Sequence, residues 1–189
     1  MTRKKSFIIL TGIYLSAFAF GGFIYFGLDL ESMIARIIIA DLAATVYVFL
    51  FSTVLRNSSV YDPYWSVAPL FIVPFFVEQW TAASILMLAV VGYWGVRLTV
   101  NWAYTFQGLS HEDWRYRYFK DRFPRLWPLV NLFGIHLMPT VVVILVMIPA
   151  WLYLQSEPFL NLVTLIGATL SALAITIQLR ADRTIHAYR

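Results

Sequence analysis

The 189-residue chain contains no cysteine and only three histidines. Without cysteine it has no disulfide, no thiolate nucleophile and no thiolate metal site. The histidines, His111, His136 and His186, are spaced too widely to indicate a metal cluster. The sequence also lacks a glycine-rich phosphate loop, a serine triad motif and a metalloprotease motif. No nucleic-acid-binding motif is visible, so we expect no nucleic-acid partner.

Charged residues are scarce as well. They make up 13% of the chain, whereas hydrophobic residues make up 60% and the mean hydropathy is +0.72. In soluble domains about a quarter of the residues are charged. A membrane span needs roughly 20 apolar residues, and the chain offers several such runs. The composition therefore predicts an integral membrane protein that contacts membrane lipids.

The apolar residues fall into six segments, which predict an all-α, polytopic transmembrane helical bundle in a single domain over 1–189. The first segment follows a basic start and is longer than the apolar core of a signal peptide, so we expect a retained span. The third is short and contains Pro69 and Pro74, as in a kinked or partial crossing. The six segments are 6–28, 33–55, 64–77, 81–106, 129–154 and 158–179.

The basic residues are distributed asymmetrically between the loops. Twelve of the 14 lysines and arginines lie on one side of a six-span scheme, and the other two, Arg36 and Arg97, lie within predicted segments. By the positive-inside rule both termini are predicted to be cytoplasmic. The one sizeable loop, 107–128, mixes aromatic residues with charges of both signs. This mixture predicts an amphipathic segment that lies on the cytoplasmic surface of the bilayer.

Arg97 is the most informative polar residue, because an ionisable group inside a membrane span is costly. At helical spacing it shares a face with Tyr93, Asn101, Tyr104 and Gly108. Such a face is suited to a polar, anionic ligand at the membrane boundary. Alternatively, Arg97 snorkels to the headgroups and pairs with a neighbouring carboxylate.

Other polar residues gather on the same predicted side. Asp62 precedes Pro63, so it is either part of a polar pocket or a helix N-cap. Gln178 and Asp182 are four residues apart and share a helix face, where they either join the pocket or cap a helix end. His186 and Arg189 extend that face. A pocket built from these residues is suited to a cytosolic anionic ligand such as a nucleotide.

Two further polar residues lie within predicted spans. Asp41 has three possible roles, namely pairing with Arg36, accepting a hydrogen bond from Thr45 or lining a substrate pocket. We expect His136, in Gly134-Ile135-His136, to be a hydrogen-bonded histidine that packs between helices rather than a catalyst.

Several motifs together resemble a bacterial membrane protein family related to the steroid 5-alpha-reductases (domain of unknown function 1295). The resemblance covers nearly the whole chain from Asn57 onward. Its motifs are Tyr61-Asp62-Pro63-Tyr64-Trp65-Ser66-Val67-Ala68-Pro69, Arg97-Leu98-Thr99 with Asn101-Trp102, His111-Glu112-Asp113-Trp114-Arg115-Tyr116, Phe133-Gly134-Ile135-His136 with Pro139, and Ala181-Asp182-Arg183.

The resemblance implies an NADPH-dependent oxidoreductase of the bacterial inner membrane, which reduces a C=C bond of a lipophilic enone. An acid and a tyrosine polarise the carbonyl oxygen in such reductases, and the matching positions imply Asp62 and Tyr93 as catalytic residues. The match at the tyrosine is offset, since Trp94 occupies the expected position. The implied cofactor-binding residues are Arg97, Asn101, Gln178, Asp182 and Arg189. No metal is implied.

The resemblance also allows the length of this chain to be compared with that of the family. The family continues beyond the position of Arg189 through a further motif and further spans, so we expect a truncated member that lacks part of the cofactor pocket. Two other functions remain open: a non-catalytic membrane protein that binds lipid or scaffolds a partner, and a methyltransferase-related membrane protein.

Overall fold

The computed structural model describes residues 1–188, and Arg189 lies outside the described residues. The described residues contain no β-strand, so the all-α prediction is confirmed. The helices are α1 (Arg3–Gly27), α2 (Met33–Val54), α3 (Tyr64–Ile72), α4 (Ala82–Thr105), α5 (Trp114–Arg122), α6 (Trp127–Gln155) and α7 (Leu162–Ala187). Short 3-10 turns occupy Ser58–Val60 and Val73–Phe76, and α6 contains a π-helical stretch, Val130–Leu137.

Five helices, α1, α2, α4, α6 and α7, are long and apolar enough to cross a membrane. They confirm an integral membrane protein with several spans. The third predicted segment differs, because it forms only the nine-residue α3 and a four-residue 3-10 turn that contains Pro74. Nine α-helical residues extend ~14 Å, about half of a hydrocarbon core. The sixth crossing, and with it the location of both termini on one side, stays a prediction.

Local capping interactions set the helix boundaries. The side chains of Thr2, Ser32 and Asn161 accept hydrogen bonds from backbone amides three residues later, at the starts of α1, α2 and α7. These bonds satisfy amides that have no partner within the helix. After α2 the chain turns at Arg56, whose φ of 53° is incompatible with continuing the helix. The chain can then enter the 3-10 turn that precedes Asp62.

The contacts within the chain group into two compact units, and the single domain expected from the sequence stays a prediction. The first unit comprises Met1–Trp65 and Phe106–Leu145, and the second comprises Ser66–Thr105 and Val146–Arg189. Each unit is built from two separate stretches, so the chain passes between the units three times. No single boundary in the sequence marks this division.

The first unit packs α1 closely against α2. A Cβ atom on Gly21 would lie 3.4 Å from both the Ala40 carbonyl oxygen and the Ala44 Cβ. Small residues allow the helix backbones to approach in this way. The unit also buries Asp41, whose Oδ1 accepts a hydrogen bond from the Tyr64 hydroxyl at 2.9 Å. The sequence left three roles open for Asp41. One of them, an ion pair with Arg36, is not present among the described residues.

The second unit packs α4 against α3 and α7. A Cβ atom on Gly95 would lie 2.7 Å from a Leu70 methyl carbon and 2.8 Å from the Ser66 carbonyl oxygen, so α3 approaches α4 at a glycine. In α7 only Ile175 is fully buried. Most of this apolar helix is therefore left to contact lipid.

Gly108, in the first unit, lies in a turn whose backbone conformation favours glycine, and a substitution there tests this turn. Its φ is +112°, and an added Cβ would lie 3.2 Å from the Ser6 Oγ. We expect Gly108→Ala to lower the free energy of unfolding by about 1–3 kcal/mol. Gly12→Ala is the control, since nothing lies within 4 Å of its Cβ position. Thermal unfolding in detergent compares the two variants, and equal stabilities would contradict the strained turn.

Candidate functional site

The first unit contains a junction between two segments that are distant in the sequence. Buried Asn57 donates from Nδ2 to the carbonyl oxygens of Leu109 at 2.8 Å and His111 at 3.0 Å. Its Oδ1 accepts from the Ser59 amide at 2.9 Å. One amide side chain therefore fixes the turn before Asp62 against the loop before α5.

Three side chains on the two segments strengthen this junction. Glu112 Oε1 accepts from the Ser58 amide at 2.8 Å, and Ser59 Oγ accepts from the Asp113 amide at 3.0 Å. Lys120 pairs with Glu112 at 2.7 Å. The junction thus joins the turn that leads into the Tyr61–Pro69 motif to the motif that begins at His111.

The junction brings Asp62 together with Tyr116 of α5. The Tyr116 hydroxyl donates to Asp62 Oδ1 at 2.5 Å, across 54 positions of sequence. Asp113 caps the start of α5 by accepting from the Arg115 amide, which fixes the helix register and so the position of Tyr116. Sequence reasoning treated Tyr116 as one of several interfacial aromatics and missed this partner.

The environment of Asp62 favours its neutral form. Burial raises the pKa of the Asp62 carboxyl to about 6, although hydrogen bonds from Tyr116 and Ser59 oppose the shift. Burial, followed by the charge of Asp62, raises the pKa of Tyr116 well above its ordinary value. The phenol therefore keeps its proton, while the carboxyl changes protonation state near neutral pH.

The second unit brings together the polar residues of α4 and α7. Buried Arg97 forms an ion pair with Asp182, with 3.1 Å between Nη1 and Oδ2. One turn along α4, Asn101 Oδ1 lies 2.8 Å from His186 Nε2. The Nε of Arg97 is buried without a hydrogen-bond partner in the described part of the chain. An anionic or carbonyl oxygen would satisfy this N–H group.

Tyr93, the predicted catalytic tyrosine, also belongs to the second unit. Its hydroxyl lies 3.1 Å from Thr176 Oγ1, whose own hydrogen is donated to the Ala172 carbonyl oxygen. Tyr93 is therefore the donor to Thr176. Its catalytic role stays a prediction, and Asp62, its expected acidic partner, is a residue of the first unit.

The remaining predicted residues take no part in the contacts of Asp62 or Arg97 described above. Gln178 is exposed on α7, and its side chain makes no hydrogen bond within residues 1–188. Arg189 lies outside the described residues, so its predicted role has no structural description. His136 is buried, and its Nδ1 lies 2.9 Å from the Asn131 carbonyl oxygen, in keeping with the packing role expected for it.

Beside these polar residues the second unit contains an apolar cavity of about 400 Å³. It lies between α4 and α7 on the N-terminal side of Arg97 along α4. Its lining includes Leu86, Met87, Val90, Val163, Gly167 and Ala168. Such a cavity is suited to a hydrocarbon group.

A family model described as a protein of unknown function (DUF1295) matches residues 48–189. No curated protein and no solved structure matches the chain. The match covers the junction of the first unit and the α4–α7 residues of the second.

The raised pKa of Asp62 predicts a titration near neutral pH. Below pH 6 the carboxyl is mainly protonated, and above it the carboxylate predominates. Infrared difference spectra of wild type minus Asp62→Asn should therefore contain a protonated-carboxyl band that disappears with a midpoint near pH 6. Exposed Asp29 provides the control, since Asp29→Asn should leave this band unchanged. A midpoint near pH 4, the ordinary range of aspartate, would contradict the burial of Asp62.

The ion pair in the second unit predicts an asymmetric effect of substitution. Asp182→Ala leaves the buried Arg97 charge unpaired and should cost about 3–5 kcal/mol. Replacing both residues, as in Arg97→Met with Asp182→Leu, should restore most of that stability. Thermal unfolding in detergent measures both effects, with exposed Asp121→Ala as the control expected to change stability by less than about 0.5 kcal/mol. Equal effects of Asp182→Ala and Asp121→Ala would show that the Arg97–Asp182 contact is weak.

Proposed function

The chain belongs to the DUF1295 family of proteins of unknown function, and we propose that it is an NADPH-dependent membrane oxidoreductase of the steroid 5-alpha-reductase type. The reaction is reduction of the C=C bond of a lipophilic enone, either sterol-like or isoprenoid. The observation that carries this proposal is the hydrogen-bonded Asp62–Tyr116 pair. Hydrogen-bond donors fixed beside a carbonyl oxygen stabilise the negative charge that develops there during reduction.

The protonation state of Asp62 decides whether the pair has a hydrogen to offer. When Asp62 is ionised, the pair holds one hydrogen, which lies between the two residues. When Asp62 is protonated, the pair holds two hydrogens, and one is free to bond a substrate oxygen. The raised pKa of Asp62 makes this second state more populated than for an ordinary aspartate, and it predominates below about pH 6. We therefore assign Asp62 and Tyr116 together as the group that polarises the carbonyl, in place of Asp62 and Tyr93.

The polar residues of the second unit fit a nucleotide cofactor. Within residues 1–188 the buried Nε–H group of Arg97 has no hydrogen-bond partner, which suits a phosphate or amide oxygen. Asp182 and Asn101 suit hydroxyl and amide groups. Arg97, Asn101 and Asp182 would hold NADPH, with Gln178 and Arg189 as further predicted contacts. NADPH, when bound, supplies the hydride for the reduction.

The cavity between α4 and α7 supports a lipophilic substrate. Its walls are mainly aliphatic, and it is open to its surroundings rather than enclosed. A hydrophobic compound dissolved in the bilayer gains favourable contacts on entering such a cavity without first crossing water. This feature favours a hydrocarbon-rich enone over a polar one.

NADPH binding to the chain in nanodiscs, with NADH as comparison, tests the cofactor assignment. Arg97→Lys keeps the charge beside Asp182 but removes the Nε donor. Loss of a charge-assisted hydrogen bond, worth about 1.5–3 kcal/mol, should weaken NADPH binding roughly tenfold to a hundredfold. Arg36→Lys is a matched control, because Arg36 also lies in a span and also has a buried Nε without a partner. It should bind NADPH like the wild type.

The same titration separates the rival functions. Saturable NADPH binding that Arg97→Lys weakens and Arg36→Lys does not would support the reductase. Equal weakening by both variants would contradict the assignment of Arg97. No saturable binding to the wild-type chain would contradict a cofactor site in these residues and favour a non-catalytic role in lipid or partner binding.

A further inference from the structure

Helix α5 presents two chemically different faces. Tyr116 and Lys120 are four residues apart and so lie on one face, from which they reach Asp62 and Glu112. Lys120 also donates to the Arg56 carbonyl oxygen at 3.2 Å. This face holds α5 against the Asn57 junction within the first unit.

The outward face and the turn after it expose large apolar side chains. Trp114 is 69% exposed and Tyr118 is 52% exposed, although both lie on a short charged helix. Phe123 and Leu126 are exposed in the residues that follow. The chain enters this segment after one candidate span, α4, and leaves it into another, α6. A segment tethered to membrane helices at both ends, with exposed aromatic side chains, is suited to the interfacial layer of a bilayer.

The charges on this surface are mostly basic and not all internally paired. Of the five basic residues in 114–126, Arg115 pairs with Asp113 and Lys120 pairs with Glu112. The other three, Arg117, Arg122 and Arg125, are exposed and have no carboxylate partner among residues 1–188. Within 114–126 the only acid is exposed Asp121. Three arginines therefore remain available to an external anion.

We propose that the outward surface of 114–126 binds the headgroups of anionic phospholipids. The guanidinium groups of Arg117, Arg122 and Arg125 pair with lipid phosphates, for which arginine geometry is well suited. Trp114 and Tyr118 pack at the headgroup level beside them. Because Tyr116 lies on the opposite face of the same helix, bound lipid also holds Tyr116 against Asp62. Lipid binding at this surface does not require the proposed redox chemistry.

Hydrogen–deuterium exchange of the full chain in nanodiscs tests the proposal. Exchange in 114–126 should be on the order of a hundredfold slower in phosphatidylglycerol-containing nanodiscs than in pure phosphatidylcholine, since each of the three arginines near an anionic surface contributes about a factor of five. The triple variant R117Q/R122Q/R125Q should lose this difference. The matched triple K4Q/R180Q/R183Q removes the same number of exposed basic residues elsewhere and should retain it.

Three results would overturn the proposal. Equal exchange of the wild type in the two lipids would show that anionic lipid does not bind here. Loss of the difference in both triple variants would indicate a general charge effect rather than a site on α5. Protection produced in phosphatidylcholine nanodiscs by added inorganic phosphate, or by an acidic peptide such as polyglutamate, would identify a soluble anion or an acidic protein as the ligand instead.

Discussion

The arrangement of the first unit depends on the three hydrogen bonds of Asn57. Its amide group is buried, and it satisfies two carbonyl oxygens of the loop at Leu109 and His111 together with the Ser59 amide. Buried backbone groups without partners are costly, so neither segment can move away without losing these bonds. The start of α5 follows directly from this loop. The position of Tyr116 over Asp62 is thus a consequence of a junction that begins five residues before Asp62.

Both units hold polar side chains between apolar helices, but these side chains are suited to different chemistry in each unit. In the first unit a carboxyl and a phenol share a short hydrogen bond, and burial favours the neutral acid. In the second unit a buried arginine and a carboxylate balance each other's charge and leave one donor unsatisfied. The first arrangement is suited to donating a hydrogen bond, and the second to holding a polar ligand.

The sequence predicted the positions of the helices far better than the contacts between side chains. Long apolar runs gave the five candidate spans, since hydrophobic length is a local property. The third segment contains Pro74, which helps end α3 after nine residues, and the kinked or partial crossing expected there stays a prediction. Arg97 and Asp182 were placed on the same side by the predicted topology and grouped again by the family resemblance, and the structure pairs them. The Asp62–Tyr116 contact was missed because no spacing rule connects residues 54 positions apart.

The protonation midpoint of Asp62 in an Asn57→Ala variant tests the central claim most directly. If the Asn57 junction keeps Asp62 buried beneath Tyr116, its loss should admit water and lower the midpoint from about 6 toward the ordinary aspartate value of 3.8. Asn161→Ala, which removes the cap of α7 in the second unit, should leave the midpoint unchanged. Circular dichroism confirms that both variants retain their helices. A folded Asn57→Ala protein with an unchanged midpoint would contradict the account.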